Sequence, residues 1–418
     1  MSSFTSSSET AATETETATA TEVTMTPAAV NRRIVAVLVL GMVLVVIFFR
    51  LFTMANNVSG ETILGRVLEA RAALPRILQE DKDLVMAFGS SMTEAGFSAR
   101  RFDRGLAQRG VEVKSFNFGF GGLNPYFQDY LSRRIREQLE AEDRRLKLVL
   151  IEFVPFQATR ARWNGALPMV DSYVPLLASS DEMLRMAVED PQSGVLRLTI
   201  HHLRDGISAE MVTHFFGRPL RAREPKSELP EDEAAMERLD EVGQKLQEAF
   251  KVDYPDYKES EWSYEWQGAG TIPEERSAET LEIFKEYYQL KRQERLLDND
   301  KLDRIACCDI EELHFEELLV ESFIRIVKNF QAVSDHVEVV LFPRNTDWIH
   351  YSDESAARLK AVLERIRDET GVPIRDYQLL PTVTPDMYSD TTHLARYSGD
   401  VTFTDQLIDD FAPLLGAP

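Results

Sequence analysis

A serine pair and a distant Asp-x-x-His segment are the residues in this sequence that best suit nucleophilic catalysis. Ser90 and Ser91 follow the apolar run 84–88 and one glycine, and Asp390 and His393 lie three positions apart near the end of the chain. A nucleophilic serine needs a base, and that base needs a carboxylate to orient it. Taken alone, each segment is also explained by an ordinary turn or loop, and serine is a favoured helix N-cap.

A glycine-rich segment could bring backbone N–H groups close to a ligand. It runs from Asn117 to Asn124 with the sequence Asn-Phe-Gly-Phe-Gly-Gly-Leu-Asn. Glycines permit a tight turn and let the backbone approach a ligand closely. The G-x-G-x-x-G spacing of a dinucleotide-binding turn is absent, and the segment does not follow the first predicted strand. The sequence therefore argues against a dinucleotide site here and leaves the role of the loop open.

These segments follow short apolar runs that alternate with helical patterns. The predicted strands are 84–88, 113–118, 146–153, 337–342 and 372–374, and the predicted helices are 98–109, 125–142, 353–369 and one beginning near Gly399. Unbroken apolar strands alternating with helices suit a parallel sheet covered on both faces. We predict an α/β fold with a doubly wound, mainly parallel sheet. Ligands bind such sheets at the carboxyl ends of the strands.

The remaining sequence divides the chain into segments of different composition. We predict, in order, a disordered tail (1–31), a transmembrane anchor (32–56), a juxtamembrane helix (57–82), the first part of the α/β domain (83–159), a mainly helical acidic insertion (160–335) and the second part of that domain (336–418). The tail is rich in Ser, Thr, Ala and Glu, and such a segment cannot bury enough apolar surface to offset its ordering entropy.

The anchor prediction depends on an apolar run beside a pair of arginines. Arg32 and Arg33 precede residues 34–49, which are all apolar or glycine. A helix over 34–55 would be about 33 Å long, which is enough to cross a bilayer core. A cleaved signal peptide or a buried core helix are the alternatives, although a signal peptide usually has a shorter apolar core and a small-residue cleavage site. Because only Arg50 lies at the other end, the charge bias favours a cytoplasmic tail and an extracytoplasmic body.

Composition restricts the class of partner. The chain has 418 residues and a formal net charge of −22, with 44% apolar and 28% charged residues. The apolar and charged fractions are those of an ordinary globular protein. An acidic chain is a poor candidate for nucleic-acid binding, since phosphate neutralisation needs an excess of Lys and Arg. The two cysteines, Cys307 and Cys308, are adjacent and cannot form a disulfide framework.

In combination, the motifs resemble the SGNH (GDSL-type) hydrolase superfamily. Gly-Ser-Ser follows the first strand, Asn-x-Gly-x-x-Gly follows the second, and Asp-x-x-His precedes the last helix. The resemblance covers about 83–158 and 336–415 and is nearest to the membrane-anchored branch of bacterial envelopes. It implies a flavodoxin-like sheet and a location at the bacterial inner membrane, with a single-pass anchor, a cytoplasmic N-terminus and an extracytoplasmic domain.

The resemblance also implies a role for each motif residue. Ser91 would be the nucleophile, His393 the general base and Asp390 its orienting carboxylate. The oxyanion hole would consist of the N–H groups of Ser91 and Gly122. One element of the family pattern is absent, since the Gly-x-Asn-Asp expected after the third strand reads Phe-Val-Pro-Phe-Gln at 153–157. The side chains of Asn124 or Gln157 are candidates to replace that asparagine as a donor.

Two functions follow from the resemblance. The first is a serine esterase or O-acyltransferase that acts on ester-linked acyl groups of an envelope or extracellular polysaccharide, without a metal or organic cofactor. Its partners would be the glycan or another acyl ester, the membrane through one helix, and, for transfer, a membrane-bound acyl donor. The alternative is a catalytically degenerate scaffold or glycan-binding subunit of a polysaccharide assembly machine, which the absent asparagine favours.

Overall fold

The computed structural model describes residues 27–55, 65–198 with breaks at 192 and 195–196, residue 201, and residues 233–253 and 276–417. Most of the predicted tail lies outside the described residues. The same is true of the start of the predicted juxtamembrane helix and of two stretches of the predicted insertion, 202–232 and 254–275.

Helix α1 (Pro27–Ala55) belongs to a first compact unit that ends at Ala55. Its described side chains, such as Ile34, Val37 and Phe48, are exposed. Within the described part of the chain, no helix has the length and hydropathy of a membrane span. The anchor over 32–56 therefore stays a prediction.

The second unit is built on a five-stranded parallel sheet with the order β2-β1-β3-β4-β5. The strands are β1 (Asp83–Gly89), β2 (Val113–Gly119), β3 (Leu146–Glu152), β4 (Ser334–Leu341) and β5 (Ile374–Asp376). Every neighbouring pair is parallel. The prediction of an α/β fold with a parallel sheet is confirmed, and the sheet is wholly rather than mainly parallel.

The described α-helices of this unit range from the six residues of α3 to the 21 residues of α9. They are α2 (Gly65–Ile77), α3 (Ser91–Gly96), α4 (Ala99–Ala107), α5 (Pro125–Ala141), α6 (Arg160–Ala166), α7 (Val170–Leu177), α8 (Ser180–Glu189), α9 (Glu233–Asp253), α10 (Ala278–Lys291), α11 (Glu294–Cys308), α12 (Glu317–Val333), α13 (Asp353–Thr370) and α14 (Gly399–Phe411). At the end of α11, Cys307 and Cys308 are joined by a disulfide.

Alternate residues of β1 pack on opposite faces of the sheet. Val85 and Ala87 contribute to a core with Phe102 of α4 and Leu407 of α14. Phe88 points the other way and packs on Phe330 of α12, with ring centroids 5.0 Å apart. Burying both faces removes most of the apolar surface of the strand from water. This burial stabilises the fold by roughly 25 cal/mol for each Å² of apolar surface. A strand covered in this way needs the unbroken apolar sequence that β1 has.

Part of the predicted insertion belongs structurally to the sheet layer. Helix α12 packs along α5 and leads directly into β4. Arg325 and Asn329 of α12 bind the buried Asp129 of α5, with an Arg325 Nε to Asp129 Oδ2 distance of 2.8 Å. Strand β4 begins at Ser334, so the predicted boundary between 335 and 336 falls inside the strand. The last helix of the predicted insertion is therefore a crossover helix that leads into β4.

Candidate active site

The parallel topology brings the chemistry-bearing segments to one edge of the sheet. Ser91 opens α3 directly after β1, and the glycine-rich segment begins in the last residues of β2 and continues beyond that strand. The Asp390 and His393 segment follows β5 and precedes α14. Because the carboxyl ends of parallel strands share an edge, residues that are about 300 positions apart in the chain meet there.

Ser91, His393 and Asp390 form a continuous hydrogen-bonded chain. The distance from Ser91 Oγ to His393 Nε2 is 2.8 Å, and that from His393 Nδ1 to Asp390 Oδ2 is 2.8 Å. A carboxylate only accepts hydrogen bonds, so Nδ1 carries the proton and Nε2 is free to accept the serine proton. The arrangement has the geometry of a serine nucleophile with an oriented base.

A small hairpin presents His393 and Asp390 together. Ser389 N–H donates to the carbonyl of His393 at 2.8 Å, and Ala395 N–H donates to the carbonyl of Met387 at 2.8 Å. Inside the loop, Asp390 Oδ1 accepts the backbone N–H groups of Thr392 and His393, at 2.9 and 2.7 Å. Because Asp390 and His393 are three residues apart, the Asp390 carboxylate can hold both the backbone of the loop and the His393 imidazole.

The pKa of Asp390 is held below its usual range by its neighbours. Burial alone would raise that pKa, because it disfavours the charged form. The His393 imidazole, its hydrogen bond and the charges of Arg304 and Lys291 together outweigh the burial effect. Asp390 is therefore an anion beside His393, as the stabilisation of an imidazolium requires.

The turn that carries the serine is held by Glu152, the last residue of β3. Glu152 Oε2 accepts from the N–H and Oγ of Ser90, at 2.6 and 3.0 Å, and from the N–H and Oγ1 of Thr93, at 3.3 and 2.7 Å. Ser90 is also the N-cap of α3, since its Oγ accepts from Met92 N–H. Of the two serines, Ser90 is therefore the helix N-cap, while Ser91 faces His393.

The glycine-rich loop passes directly against this turn. A Cβ on Gly119 would lie 2.3 Å from the backbone nitrogen of Glu94, which no real side chain permits. A Cβ on Gly121 would lie 3.5 Å from Ser91 Cβ. The predicted donor Gly122 has a left-handed φ of +74°, a conformation that glycine adopts readily. Gly121 is therefore the glycine that lies against Ser91, and Gly122 is the next residue of the same loop.

Asn124 and Gln157, the candidates for the missing donor, have other contacts. Asn124 Oδ1 caps α5 by accepting from the N–H groups of Tyr126 and Phe127, while its Nδ2 has no partner among the described residues. Gln157 Oε1 accepts from Arg162 Nε at 2.8 Å, and Arg162 also donates to the carbonyl of Gly122 at 2.5 Å. Arg162 therefore joins the loop after β3 to the glycine-rich loop.

A small, mostly apolar cavity lies beside the triad. Met92 and Thr392, the sequence neighbours of Ser91 and His393, contribute to its wall. The rest of the wall comes from residues that end or follow β3, β4 and β5, namely Glu152 to Phe156, Leu341 to Asn345, Ile349, Tyr351 and Gln378. The apolar loop that replaces the expected asparagine after β3 therefore contributes to the lining of this cavity.

Comparison with known proteins does not classify the chain. No protein-family model matches it, and no curated protein matches it. The assignment of a function therefore depends on the geometry of the described residues.

Several residues of the site were not predicted from the sequence, namely Glu152, Gly121, Arg162, Arg304 and Asp300, which accepts the backbone N–H of Thr391 at 3.1 Å. Glu152 had a recognisable signal, because it is a carboxylate at the end of a strand that is otherwise apolar. Arg162, Asp300 and Arg304 lie on helices of the predicted insertion, and nothing in their local sequence indicates contact with the sheet edge.

The stability of the E152Q variant relative to that of wild type should increase as the pH rises. Burial raises the pKa of Glu152, although the hydrogen bonds from Thr93 and Ser90 oppose the shift. A carboxyl whose pKa is higher in the folded than in the unfolded protein makes its full contribution to stability below the unfolded-state pKa. This contribution is lost as the pH rises through the folded-state pKa. Glutamine keeps the accepting oxygen and does not ionise.

Melting temperatures from about pH 4 to about pH 8 test this prediction. The difference between E152Q and wild type should grow with pH, and E248Q, the same replacement at an exposed position, is the matched control. A difference for E152Q that shrinks toward high pH would mean that the carboxyl is not destabilised by its burial.

Proposed function

We infer that this protein is an SGNH-like serine esterase or O-acyltransferase. The observation that carries the proposal is the chain from Ser91 through His393 to Asp390, with both links at 2.8 Å. The strand order is that of flavodoxin-like doubly wound sheets, and the three motifs occupy adjacent positions at its carboxyl edge. Both features support the family resemblance of the motifs.

The proposed reaction is acyl transfer through Ser91. Ser91 Oγ attacks the ester carbonyl while His393 Nε2 takes its proton, and Asp390 stabilises the imidazolium that forms. The tetrahedral intermediate collapses, the leaving alcohol takes the proton from His393, and the acyl group remains on Ser91. Water or a glycan hydroxyl then gives its proton to His393 and attacks the acyl-enzyme, which releases a carboxylic acid or a new ester and restores Ser91.

The oxyanion would be stabilised by backbone donors in two segments. Ser91 N–H belongs to the first turn of α3, where amides have no acceptor within the helix. The glycine-rich loop at Gly121 and Gly122 provides the second segment, next to Ser91. A donor of this kind contributes about 10²–10³ in rate. With this arrangement, the site keeps backbone donors although the asparagine that the family has after the third strand is absent.

We propose an acyl-ester substrate on an envelope or extracellular polysaccharide, and a short acyl group in the cavity beside Met92 and Thr392. The apolar character of the cavity wall after β3 supports this assignment. The anchor over 32–56 would hold the domain outside the bacterial inner membrane. For the transfer reaction, a membrane-bound donor would supply the acyl group.

The second candidate is a non-catalytic scaffold or glycan-binding subunit. The observation in its favour is the loop after β3, which has Val154, Pro155 and Phe156 where the family has its asparagine. A scaffold would bind glycan without turning over an ester. The two candidates therefore differ in the fate of the acyl group.

A polysaccharide carrying ¹⁴C-acetyl esters, incubated with the full chain in detergent, distinguishes them. Release of labelled acetate indicates an esterase, and movement of label to unlabelled glycan indicates a transferase. Both signals should disappear in S91A. Binding of the polysaccharide with neither signal, in wild type and S91A alike, would support the scaffold and contradict the enzyme.

A further inference from the structure

We propose that Asp300 and Arg304 of helix α11 are positioning residues for the Asp390–His393 pair. The inference rests on the proposed function, because positioning has meaning only if the pair acts as a base. Helix α11 lies outside the region of family resemblance. A segment of the predicted insertion would thus form part of the catalytic apparatus rather than a separate domain.

The contacts form a clamp on the loop that carries the pair. Thr391 N–H, between Asp390 and His393 in sequence, donates to Asp300 Oδ2 at 3.1 Å. Arg304 Nε lies 2.9 Å from both carboxylate oxygens of Asp300, one helical turn away. Arg304 Nη2 lies 3.8 Å from Asp390 Oδ2. One arginine therefore neighbours two carboxylates, one of which fixes the loop and the other the imidazole.

Helix α11 is fixed close to the clamp. Thr159 Oγ1, which follows β3, donates to the carbonyl of Cys308 at 2.5 Å. Lys301 also binds Glu311 at 3.2 Å, beyond the end of the helix. These contacts hold the C-terminal half of α11 against the sheet edge. A clamp built on a fixed helix can restrict a loop more than a clamp built on a mobile one.

The charge of Arg304 also affects the base. Three cationic or potentially cationic groups face Asp390, namely His393 on its own loop, Arg304 on α11 and Lys291 on α10, and the anionic Asp300 lies beside Arg304. Removal of the Arg304 charge makes the potential at the pair more negative, so the pair holds its proton more strongly. The loss of the Arg304 charge is therefore expected to move the acidic limb of the rate profile to higher pH.

The test is the rate of Ser91 labelling by a fluorophosphonate as a function of pH. In R304Q the plateau rate should fall about tenfold, and the midpoint of the acidic limb should rise by about half a pH unit. R304K keeps the charge and loses the planar fork. It should show a reduced plateau with the midpoint of wild type. Equal midpoints in wild type, R304Q and R304K would overturn the electrostatic part of the proposal.

Hydrogen exchange tests the clamp without catalysis. The peptide over 388–396 should exchange at least about tenfold faster in D300A than in wild type, because Thr391 loses its acceptor. Unchanged exchange would overturn the clamp even if Ser91 is labelled. Faster exchange in D300A with no labelling of wild type would keep the clamp and reject the proposed function. The two proposals therefore fail separately.

Discussion

Replacement of Ser91 by alanine should abolish turnover of an activated ester such as p-nitrophenyl acetate. Ser91 Oγ is the atom that His393 Nε2 contacts, at 2.8 Å, and alanine offers no nucleophile there. Only the oxyanion donors and substrate binding would remain, so we expect a loss of at least about 10⁴ in kcat/KM. Initial rates measured at equal concentrations of folded wild type and S91A give this ratio directly.

The neighbouring serine provides a matched control. Ser90 caps α3 through Met92 N–H and binds Glu152, whereas Ser91 Oγ is the hydroxyl that contacts His393. S90A should lose about 1 kcal/mol of stability through the cap and keep measurable turnover. If S91A retained more than a tenth of wild-type turnover, Ser91 would not be the nucleophile. If S90A alone lost all turnover, the nucleophile would be assigned to the wrong serine.

Replacement of Asp390 by asparagine should reduce turnover by about 10³–10⁴ with little change of structure. The asparagine oxygen can still accept the N–H groups of Thr392 and His393, which Asp390 accepts at 2.9 and 2.7 Å. The amide NH₂ would face His393 Nδ1, however, and favour the tautomer that cannot accept the Ser91 proton. The anion that stabilises the imidazolium would also be absent.

Turnover and melting temperature, measured on the same preparations, separate this effect from unfolding. D390N should melt within a few degrees of wild type while its kcat falls. D386N, on the same loop at an exposed aspartate, is the control and should keep most of the activity. A D390N variant with turnover within tenfold of wild type would show that Asp390 does not orient the base.

The sheet and the triad could be predicted because their signals are local. Each strand is a short apolar run, and each candidate residue follows such a run closely. Parallel topology then brings the strand ends together, so Ser91 and His393 could be paired although they are 302 positions apart. The family resemblance implied Gly122 as a partner of Ser91, and the glycine whose approach to Ser91 the structure describes is its neighbour Gly121.

The supporting contacts could not be predicted, because they depend on tertiary packing between distant elements. Asp300 lies 91 residues before Thr391 in the chain, and the sequence around Asp300 resembles that of any exposed acidic helix. The sequence pattern assigns the residues of α12 to the insertion, because amphipathic spacing does not indicate which surface a helix covers. Its packing against α5 involves Asp129, which is buried and charged, and a sequence pattern gives no partner for such a residue.

The most direct test of the central claim is mass-spectrometric mapping of a fluorophosphonate adduct. The full chain is incubated with the reagent, digested, and compared with H393A treated in the same way. The account predicts a single stoichiometric adduct on Ser91 in wild type and labelling at least about a hundredfold slower in H393A, because the base is lost. Absence of an adduct on folded wild type, or an adduct on any residue other than Ser91, would contradict it.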